Sequence, residues 1–408
     1  MRARSVLLAA VLVPLVAAPA SASSSSPSAA PSVTSVAALP ASSGVVTWAA
    51  SAQQIGDIAA GQTFRQVVHT SVGGSSLRIR LSNAFGTAPV TFGHAYAGSR
   101  RPGSAAVQGA NRQLTFAGAA SVTVPAGGLV VSDPLPGRVA PLADLLISVY
   151  VSSAAGPGTG HGMAMQTSYL GPGDHAADAG AAAFPQRTQS WFYLDSVSVA
   201  APAKTGAVVV LGDSITDGWH STTDQNTRWP DYLARRLAAA GTPVQGVANE
   251  GISGNRVLAD GAGQAAIGRL DRDVLSQPGV RTVILFEGVN DIKATPAPTA
   301  ADLIAGDQQI IDRAHRAGKC IVGATILPFR GWSEWTPSGE AVRQQVNAFI
   351  RTGRAFDAVI DFDGPMSNPY DPSEIFPPFD GGDRLHPNDK GMQAMADTVN
   401  LASLACRR

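Results

Sequence analysis

A serine and a distant acid–histidine pair in this 408-residue sequence could together carry out nucleophilic catalysis. Ser214 follows an apolar run, in the segment GDSITDG at 212–218, so its hydroxyl is expected where a strand ends and can act as a nucleophile. Asp383 precedes His386 by three positions. On a turn, that carboxylate can fix the imidazole tautomer and leave the other ring nitrogen to take the serine proton. A serine after a strand is also a common helix N-cap, and the acid–histidine segment could be an ordinary loop.

Two further segments contain hydrogen-bond donors that could stabilise a developing oxyanion. In NEGISGN at 249–255, Gly254 offers a backbone N–H without a side chain in the way, and in EGVND at 287–291 the side chain of Asn290 offers an amide. Each segment alone is typical of a loop turn. Together with the serine and the acid–histidine pair, they follow four different strands of one predicted sheet, which is the arrangement that a catalytic site requires.

These segments resemble, in order, four sequence blocks of the SGNH/GDSL serine hydrolases. Segment 212–214 (GDS) matches the first block, with Ile215 where the family name has leucine. Segments 249–254, 288–291 and 383–387 are similar to the second, third and fifth blocks. Four blocks in order over roughly 180 residues are far more specific than a single short motif.

The resemblance implies roles for five residues. Ser214 would be the nucleophile, His386 the general base and Asp383 the acid that orients it. The backbone N–H groups of Ser214 and Gly254, with the side chain of Asn290, would form the oxyanion hole. The family's fold is a flavodoxin-like sandwich with strand order 2-1-3-4-5, and its mechanism needs no cofactor and no metal.

The second half of the chain, 204–408, has the pattern of a three-layer α/β fold. Apolar runs that predict buried parallel strands alternate with segments that predict helices, and the reactive groups of such a sheet lie at the carboxyl ends of its strands. The predicted strands are 207–211, 244–248, 282–286, 321–326 and 358–362, and the predicted helices are 229–240, 264–276, 299–317, 340–352 and 389–404.

The first half, 41–203, has a different composition and period. No lysine or glutamate occurs before Lys204. Short alternating segments such as 63–68, 77–81 and 145–151, separated by Gly- and Ser-rich turns, predict an antiparallel all-β sandwich or jelly roll. The Gly- and Ala-rich stretch 154–183 is expected to be an irregular loop.

The N-terminus has the features of a secretory signal. Arg2 and Arg4 precede an apolar run at 6–18, and the small residues 20–22 follow as a cleavage site. We therefore expect a signal peptide at 1–22, a flexible Ser/Pro/Ala tail at 23–40, and an extracellular mature protein.

The two cysteines, Cys320 and Cys406, could pair in an oxidising compartment and tie the C-terminal segment to the core, or remain as two buried thiols. Equal numbers of basic and acidic residues, 30 of each, argue against nucleic acid or an anionic membrane surface as partners. No second apolar run is long enough to span a bilayer, so no stable membrane insertion is expected. We expect a monomer.

Several other residues are expected to have structural roles. His220, which has no partner at metal-ligand spacing, is interpreted as a loop histidine. His161 and His175 flank Gly- and Ala-rich sequence and are expected at the surface. Asp217 and Asp291 are expected to hold loops through hydrogen bonds to backbone N–H groups. Trp332 and its neighbour Trp335 are interpreted as packing anchors, with stacking on a sugar ring as the open alternative.

The sequence thus predicts a secreted serine esterase acting through an acyl-enzyme. The run 286–292, the segment 228–230 and the N-terminal β region resemble secreted bacterial esterases associated with xylan, which suggests acetyl groups on polysaccharide or oligosaccharide as the substrate. Two alternatives remain. One is a lipase or acylhydrolase on lipid esters, against which the polar loops 222–228 and 255–264 argue. The other is a polysaccharide-binding protein with a weakly active hydrolase domain.

Overall fold

The computed structural model describes residues 44–406. The predicted signal peptide at 1–22 and tail at 23–40 lie outside the described residues. No helix within 44–406 is sufficiently long and apolar to cross a bilayer. The predicted domain boundary at 203/204 falls between the last strand of the β region and the first strand of the α/β region, and it stays a prediction.

The N-terminal region is built from antiparallel strands. They are β1 Val45–Ala49, β2 Gln53–Asp57, β3 Gln62–His69, β4 Gly74–Ser82, β5 Val90–Arg100, β6 Val107–Leu114, β7 Val122–Val124, β8 Leu129–Val131, β9 Leu135–Val139, β10 Asp144–Ser153, β11 Pro157–His161, β12 Ser168–Pro172, β13 Gln186–Thr188, β14 Trp191–Phe192 and β15 Leu194–Ala200.

Two large sheets of this region pack on a shared core. One has the order β1-β15-β4-β8, with β9 also paired to β4, and the other has the order β13-β12-β3-β10-β5-β6, with β7 paired to β5. A small third sheet has the order β14-β11-β2. Alternate residues such as Ile79 of β4 and Ile147 of β10 are fully buried between the sheets. The predicted β sandwich is confirmed. The prediction of an irregular loop at 154–183 is wrong in part, because strands β11 and β12 lie within these residues.

The C-terminal region contains five parallel strands. They are β16 Gly206–Gly212, β17 Val244–Gly251, β18 Val280–Phe286, β19 Cys320–Ala324 and β20 Ala358–Ile360, in the order β17-β16-β18-β19-β20. This is the predicted order 2-1-3-4-5, so the α/β fold class is confirmed. Every residue of β16 is buried, because helices cover both faces of a parallel sheet. A two-stranded ribbon, β21 Ser367–Asn368 and β22 Asp371–Ile375, follows.

Helices connect these strands. They are α1 Ser214–Asp217, α2 Trp229–Ala240, α3 Ala266–Arg269, α4 Val289–Ile292, α5 Ala300–Arg316, α6 Pro337–Thr352, α7 Asp363–Met366 and α8 Asp389–Thr398. A π-helical turn, Leu270–Leu275, continues α3, and 3₁₀ turns lie at Pro377–Phe379 and Leu401–Ala405. Asn388 caps α8 by accepting two backbone N–H groups.

The β region packs along the outer edge of the parallel sheet. The Ser71 hydroxyl accepts a hydrogen bond from the Val247 N–H of β17 at 2.9 Å and lies 3.2 Å from the Val247 carbonyl oxygen. Backbones approach so closely here that a Cβ on Gly246 would lie 2.4 Å from the Val46 carbonyl oxygen. The two regions therefore share one continuous core.

The two cysteines are joined. Cys320 opens β19 and Cys406 follows the last 3₁₀ turn, and the two form a disulfide with their Cα atoms 6.1 Å apart. The bond ties the C-terminal segment to the parallel sheet, and it is the first of the two possibilities that the sequence left open for these cysteines.

Candidate active site

Ser214 lies at the carboxyl end of the central strand. β16 ends at Gly212, and Asp213 then caps α1 by accepting the Ile215 N–H at 2.9 Å. Asp213 therefore serves as the N-cap, and the hydroxyl of Ser214, at the first position of the helix, is left for other contacts. Gly212 is needed at the turn because a Cβ there would lie 2.2 Å from Thr216 Oγ1. Burial raises the pKa of Asp213 to about 6, although the Ile215 N–H counters the shift.

The structure brings Ser214, His386 and Asp383 into one hydrogen-bonded chain. Ser214 Oγ lies 2.8 Å from His386 Nε2, and His386 Nδ1 lies 2.6 Å from Asp383 Oδ2. Ser214 and His386 are both buried. With Nδ1 donating to the carboxylate, Nε2 carries the lone pair and can accept the serine proton.

The Asp383 carboxylate is fixed by its surroundings. Its Oδ1 accepts the backbone N–H groups of Leu385 at 3.0 Å and His386 at 2.9 Å. Burial alone would raise the pKa of Asp383, but the hydrogen bonds and charge of His386 outweigh it and hold this pKa well below its usual range. The group is thus ionised wherever the site operates.

His220, expected to be an ordinary loop histidine, also contacts this carboxylate. Its Nε2 lies 3.1 Å from Asp383 Oδ2, and its ring stacks against the His386 ring with centroids 5.8 Å apart. Its φ of 68° is in the left-handed region. The sequence could not indicate this contact, since the two residues are far apart along the chain.

The predicted oxyanion donors come together at the same sheet edge. Ile252 N–H donates to the Gly212 carbonyl at 3.0 Å, which joins the loop after β17 to the turn before Ser214. Asn290 Nδ2 donates one hydrogen to the Asn255 carbonyl at 2.9 Å and keeps its second hydrogen. Within residues 44–406, neither the Ser214 nor the Gly254 backbone N–H has a hydrogen-bond acceptor. These free donors are what an oxyanion hole requires.

Two buried carboxylates hold the donor loops in place. Asp217 Oδ2 accepts the Ser253 backbone N–H at 2.9 Å, and Asp291 accepts the N–H groups of Val257 and Leu258 at 2.8 and 3.1 Å. The predicted role of Asp217 and Asp291 as loop-holding acids is confirmed.

Two tryptophan rings lie beside His386, and a lysine lies over one of them. The Trp332 ring lies edge-on to His386 at 5.9 Å and packs against the core, while the Trp219 ring lies 6.5 Å from His386 and is 45% exposed. Lys293 Nζ lies 4.8 Å from the Trp332 ring centroid. Burial lowers the pKa of Lys293, although Asp213 counters the shift. Trp335 is packed against the core as expected.

His161 was also misjudged from the sequence. It was expected at the surface, but only 2% of it is exposed, and its Nε2 lies 2.9 Å from Asp217 Oδ1. The partner lies in the α/β region, so no local pattern around His161 could reveal the contact.

A metal ion would find few free ligands among the described residues. His220, Asp383 and His386 have ligand atoms within 4.8 Å of one another, but Asp383 and His386 are engaged in the chain to Ser214. Cys320, Asp357 and Cys406 form a second such group, in which both cysteines are in the disulfide.

Comparisons with known proteins agree with this arrangement. Residues 210–394, which include Ser214, Gly254, Asn290, Asp383 and His386, match the family model of the GDSL-like lipase/acylhydrolases. No protein of curated function matches the sequence.

The solved structures that match this chain include three esterases. A carbohydrate acetylesterase from Sinorhizobium meliloti is 17% identical, with a TM-score of 0.39, and covers 47% of this chain and 95% of its own. An aryl esterase from M. smegmatis is 18% identical, with a TM-score of 0.39 and coverages of 47% and 95%. An acetyl xylan esterase is 21% identical, with a TM-score of 0.36 and coverages of 47% and 96%.

Proposed function

We propose that this chain is a secreted serine esterase that removes short acyl groups from carbohydrate. Its residues 210–394 match the GDSL-like lipase/acylhydrolase family, whose members are carboxylic ester hydrolases. The observation that carries the proposal is the hydrogen-bonded chain from Ser214 through His386 to Asp383 at the carboxyl edge of the parallel sheet.

Acylation begins at the serine. His386 Nε2 takes the hydroxyl proton while Ser214 Oγ forms a bond to the ester carbonyl carbon, and the π electrons of the carbonyl move onto its oxygen. The N–H groups of Ser214 and Gly254 and the free amide hydrogen of Asn290 stabilise that oxyanion. Asp383 stabilises the imidazolium that has formed.

Collapse of this intermediate breaks the bond to the leaving alcohol. The electrons return from the oxyanion to re-form the carbonyl, and His386 gives its proton to the departing alkoxide, so that the acyl group stays on Ser214. A water molecule then hydrolyses the acyl-enzyme. His386 takes a proton from the water as its oxygen attacks the acyl carbon, and His386 returns a proton to Ser214 Oγ as the bond to the acyl carbon breaks and the carboxylic acid is freed. No group is oxidised or reduced in either half of the reaction.

Two features support a sugar ester over a lipid. The exposed ring of Trp219 lies close to His386, and an aromatic face with a polar edge suits a ring that has both C–H and hydroxyl groups. The loop 222–228 consists of polar residues. A long acyl chain would instead need a broad apolar surface at the nucleophile. These features favour a small acyl group such as acetyl on a polar alcohol.

The test compares wild type with Ser214→Ala on p-nitrophenyl esters from acetate to palmitate, followed by acetate release from acetylated xylan. We expect activity to peak at acetate, to occur on xylan, and to be lost in the variant. A peak at long chains would identify a lipase instead. If no ester is hydrolysed in a Ser214-dependent way, the esterase proposal is wrong, and polysaccharide binding becomes the better hypothesis.

Export is the remaining part of the proposal. The charged, apolar and small-residue segments at 1–22 support it, as does the disulfide between Cys320 and Cys406, since disulfides persist in oxidising compartments. Expression of the full chain in a bacterial host, with the mature N-terminus sequenced from the medium, tests this. Retention of intact Met1 inside the cell would contradict it.

A further inference from the structure

A buried histidine of the β region contacts the α/β region next to the candidate site. His161, the last residue of β11, places its Nδ1 3.1 Å from the Ser51 carbonyl oxygen. Its Nε2 lies 2.9 Å from Asp217 Oδ1 and 3.1 Å from the Met163 carbonyl oxygen. Asp217 is the last residue of α1, the helix that begins with Ser214, and it is as buried as His161.

These contacts determine the charge of His161. All three of its partners, two carbonyl oxygens and a carboxylate oxygen, are acceptors, so both ring nitrogens must carry a hydrogen. A ring with hydrogens on both nitrogens is an imidazolium. Burial alone would lower the pKa of His161, but the charge of Asp217 and its hydrogen bond outweigh it, and the pKa is raised. His161 and Asp217 thus form a buried ion pair between the two regions.

The other oxygen of Asp217 holds the loop after β17. Asp217 Oδ2 accepts the Ser253 backbone N–H at 2.9 Å and the Ser253 hydroxyl at 2.8 Å. Ser253 directly precedes Gly254, whose free N–H is a candidate oxyanion donor. The β region also contacts Ser253 directly, because the Met163 sulfur lies 3.2 Å from the Ser253 hydroxyl.

We propose that His161 is a positioning residue for the oxyanion hole. The imidazolium neutralises Asp217 and fixes its carboxylate, the carboxylate fixes Ser253, and Ser253 sets the direction of the Gly254 N–H. The β region is then an integral part of the catalytic unit. This inference rests on the esterase proposal above.

Replacement of His161 by an uncharged residue would remove the counter-charge of the buried Asp217 carboxylate. A buried carboxylate without a cation becomes protonated or draws in water. In either case the contact that held Asp217 Oδ1 is lost, so the carboxylate can rotate and Oδ2, which accepts from Ser253, moves with it. Because a shift of about 1 Å at a catalytic group can reduce the rate about 10²-fold, a small rotation at Ser253 is sufficient to weaken the Gly254 donor.

Three variants and one control test the proposal in the full chain. Ser253→Ala removes one hydrogen bond to Asp217 and leaves the ion pair intact. His161→Leu removes the cation, while His161→Gln keeps an uncharged N–H donor directed at Asp217. The control is Ser71→Ala, which loses a buried hydroxyl between the two regions at Val247, away from the Gly254 loop.

Each variant is measured for kcat and KM on p-nitrophenyl acetate, for inhibition by phenylboronic acid, and for Tm. The boronic acid forms a tetrahedral adduct on a catalytic serine and therefore reports on the oxyanion hole directly. We expect His161→Leu and Ser253→Ala to lower kcat about 10- to 100-fold and to weaken boronate inhibition by a similar factor, with KM changed less than about threefold. His161→Gln should recover much of the loss, and Ser71→Ala should alter Tm alone.

The outcomes separate this inference from the esterase proposal. If wild type has Ser214-dependent activity and the Ser253 and His161 variants match Ser71→Ala in kcat and boronate inhibition, the positioning role is wrong. If His161→Leu fails to fold, Ser253→Ala tests the link from Asp217 to the Gly254 loop and His161→Gln tests the ion pair, and wild-type kcat and boronate inhibition in both would overturn the positioning role. Activity that survives Ser214→Ala would overturn the esterase proposal first.

Discussion

Replacing Asp383 with asparagine should reverse the tautomer of His386. Asp383 Oδ1 accepts two backbone N–H groups, those of Leu385 and His386, so the carbonyl oxygen of an asparagine must take that position. Its NH₂ group then faces His386 Nδ1, where the carboxylate oxygen now lies 2.6 Å away. Two donors cannot meet, so Nδ1 has to give up its hydrogen and Nε2 has to carry it. The base would then direct an N–H at Ser214 Oγ and could not accept the serine proton.

The expected effect is large. In a serine triad with the same substitution, the wrong tautomer lowers kcat by about 10⁴. At about 1.36 kcal/mol per tenfold change, this corresponds to about 5 kcal/mol of transition-state stabilisation. Asp383→Ala should do less damage, because the space it opens allows His386 to keep either tautomer. The structure thus predicts that Asp383→Asn, whose side chain has almost the shape of aspartate, lowers kcat more than Asp383→Ala.

Initial rates on p-nitrophenyl acetate, with active sites counted by the burst of nitrophenol, give kcat for both variants. Circular dichroism should show that both are folded. If Asp383→Asn keeps more than about a tenth of wild-type kcat, or if Asp383→Ala is much the slower of the two, the assigned hydrogen-bond directions at His386 are wrong.

Three other perturbations have defined outcomes. Asn290→Ala removes a candidate oxyanion donor and should lower kcat on p-nitrophenyl acetate by about 10²–10³ with little change in KM, whereas a loss under about tenfold would contradict that role. The His161 ion pair should add stability that is complete below about pH 6.5 and is lost as pH rises through the raised pKa of His161. The unfolding free energies of wild type and His161→Gln should therefore converge with rising pH, and denaturation curves that diverge would refute the charged state. Replacing both Cys320 and Cys406 with serine opens a loop of sequence separation 86 and should lower the free energy of unfolding by about 2–5 kcal/mol, so an unchanged denaturation midpoint would show that the disulfide contributes nothing.

The sequence was sufficient to predict those helices and strands whose signals lie within a short stretch of chain. Helix α2 was predicted with its observed bounds, because Pro230 lies in its first turn and Gly241 ends it in a left-handed conformation. The parallel strands were found because both of their faces are buried, which makes them continuous apolar runs. The positions of Ser214 and His386 followed from the rule that chemistry gathers at the carboxyl ends of such strands.

Tertiary contacts explain what the sequence analysis missed. Strand β11 has no alternating apolar pattern, and its glycines are there because other chain segments approach closely. A Cβ on Gly158 would lie 2.2 Å from Ile58 Cδ1, and one on Gly160 would lie 2.5 Å from the Trp191 carbonyl oxygen. The charge of His161 depends on Asp217, a residue of the other region. Contacts of this kind become visible only when the two regions are brought together.

The contact between Ser71 and Val247 bears on the solubility of the hydrolase region. β17 is an edge strand of the parallel sheet, and the Val247 N–H and C=O point away from that sheet toward the Ser71 hydroxyl. A fragment that begins at residue 204 would leave these groups free, and unpaired strand edges are templates on which further chains can add. We therefore expect such a fragment to self-associate through β17 and the full chain, in which the β region covers this edge, not to do so.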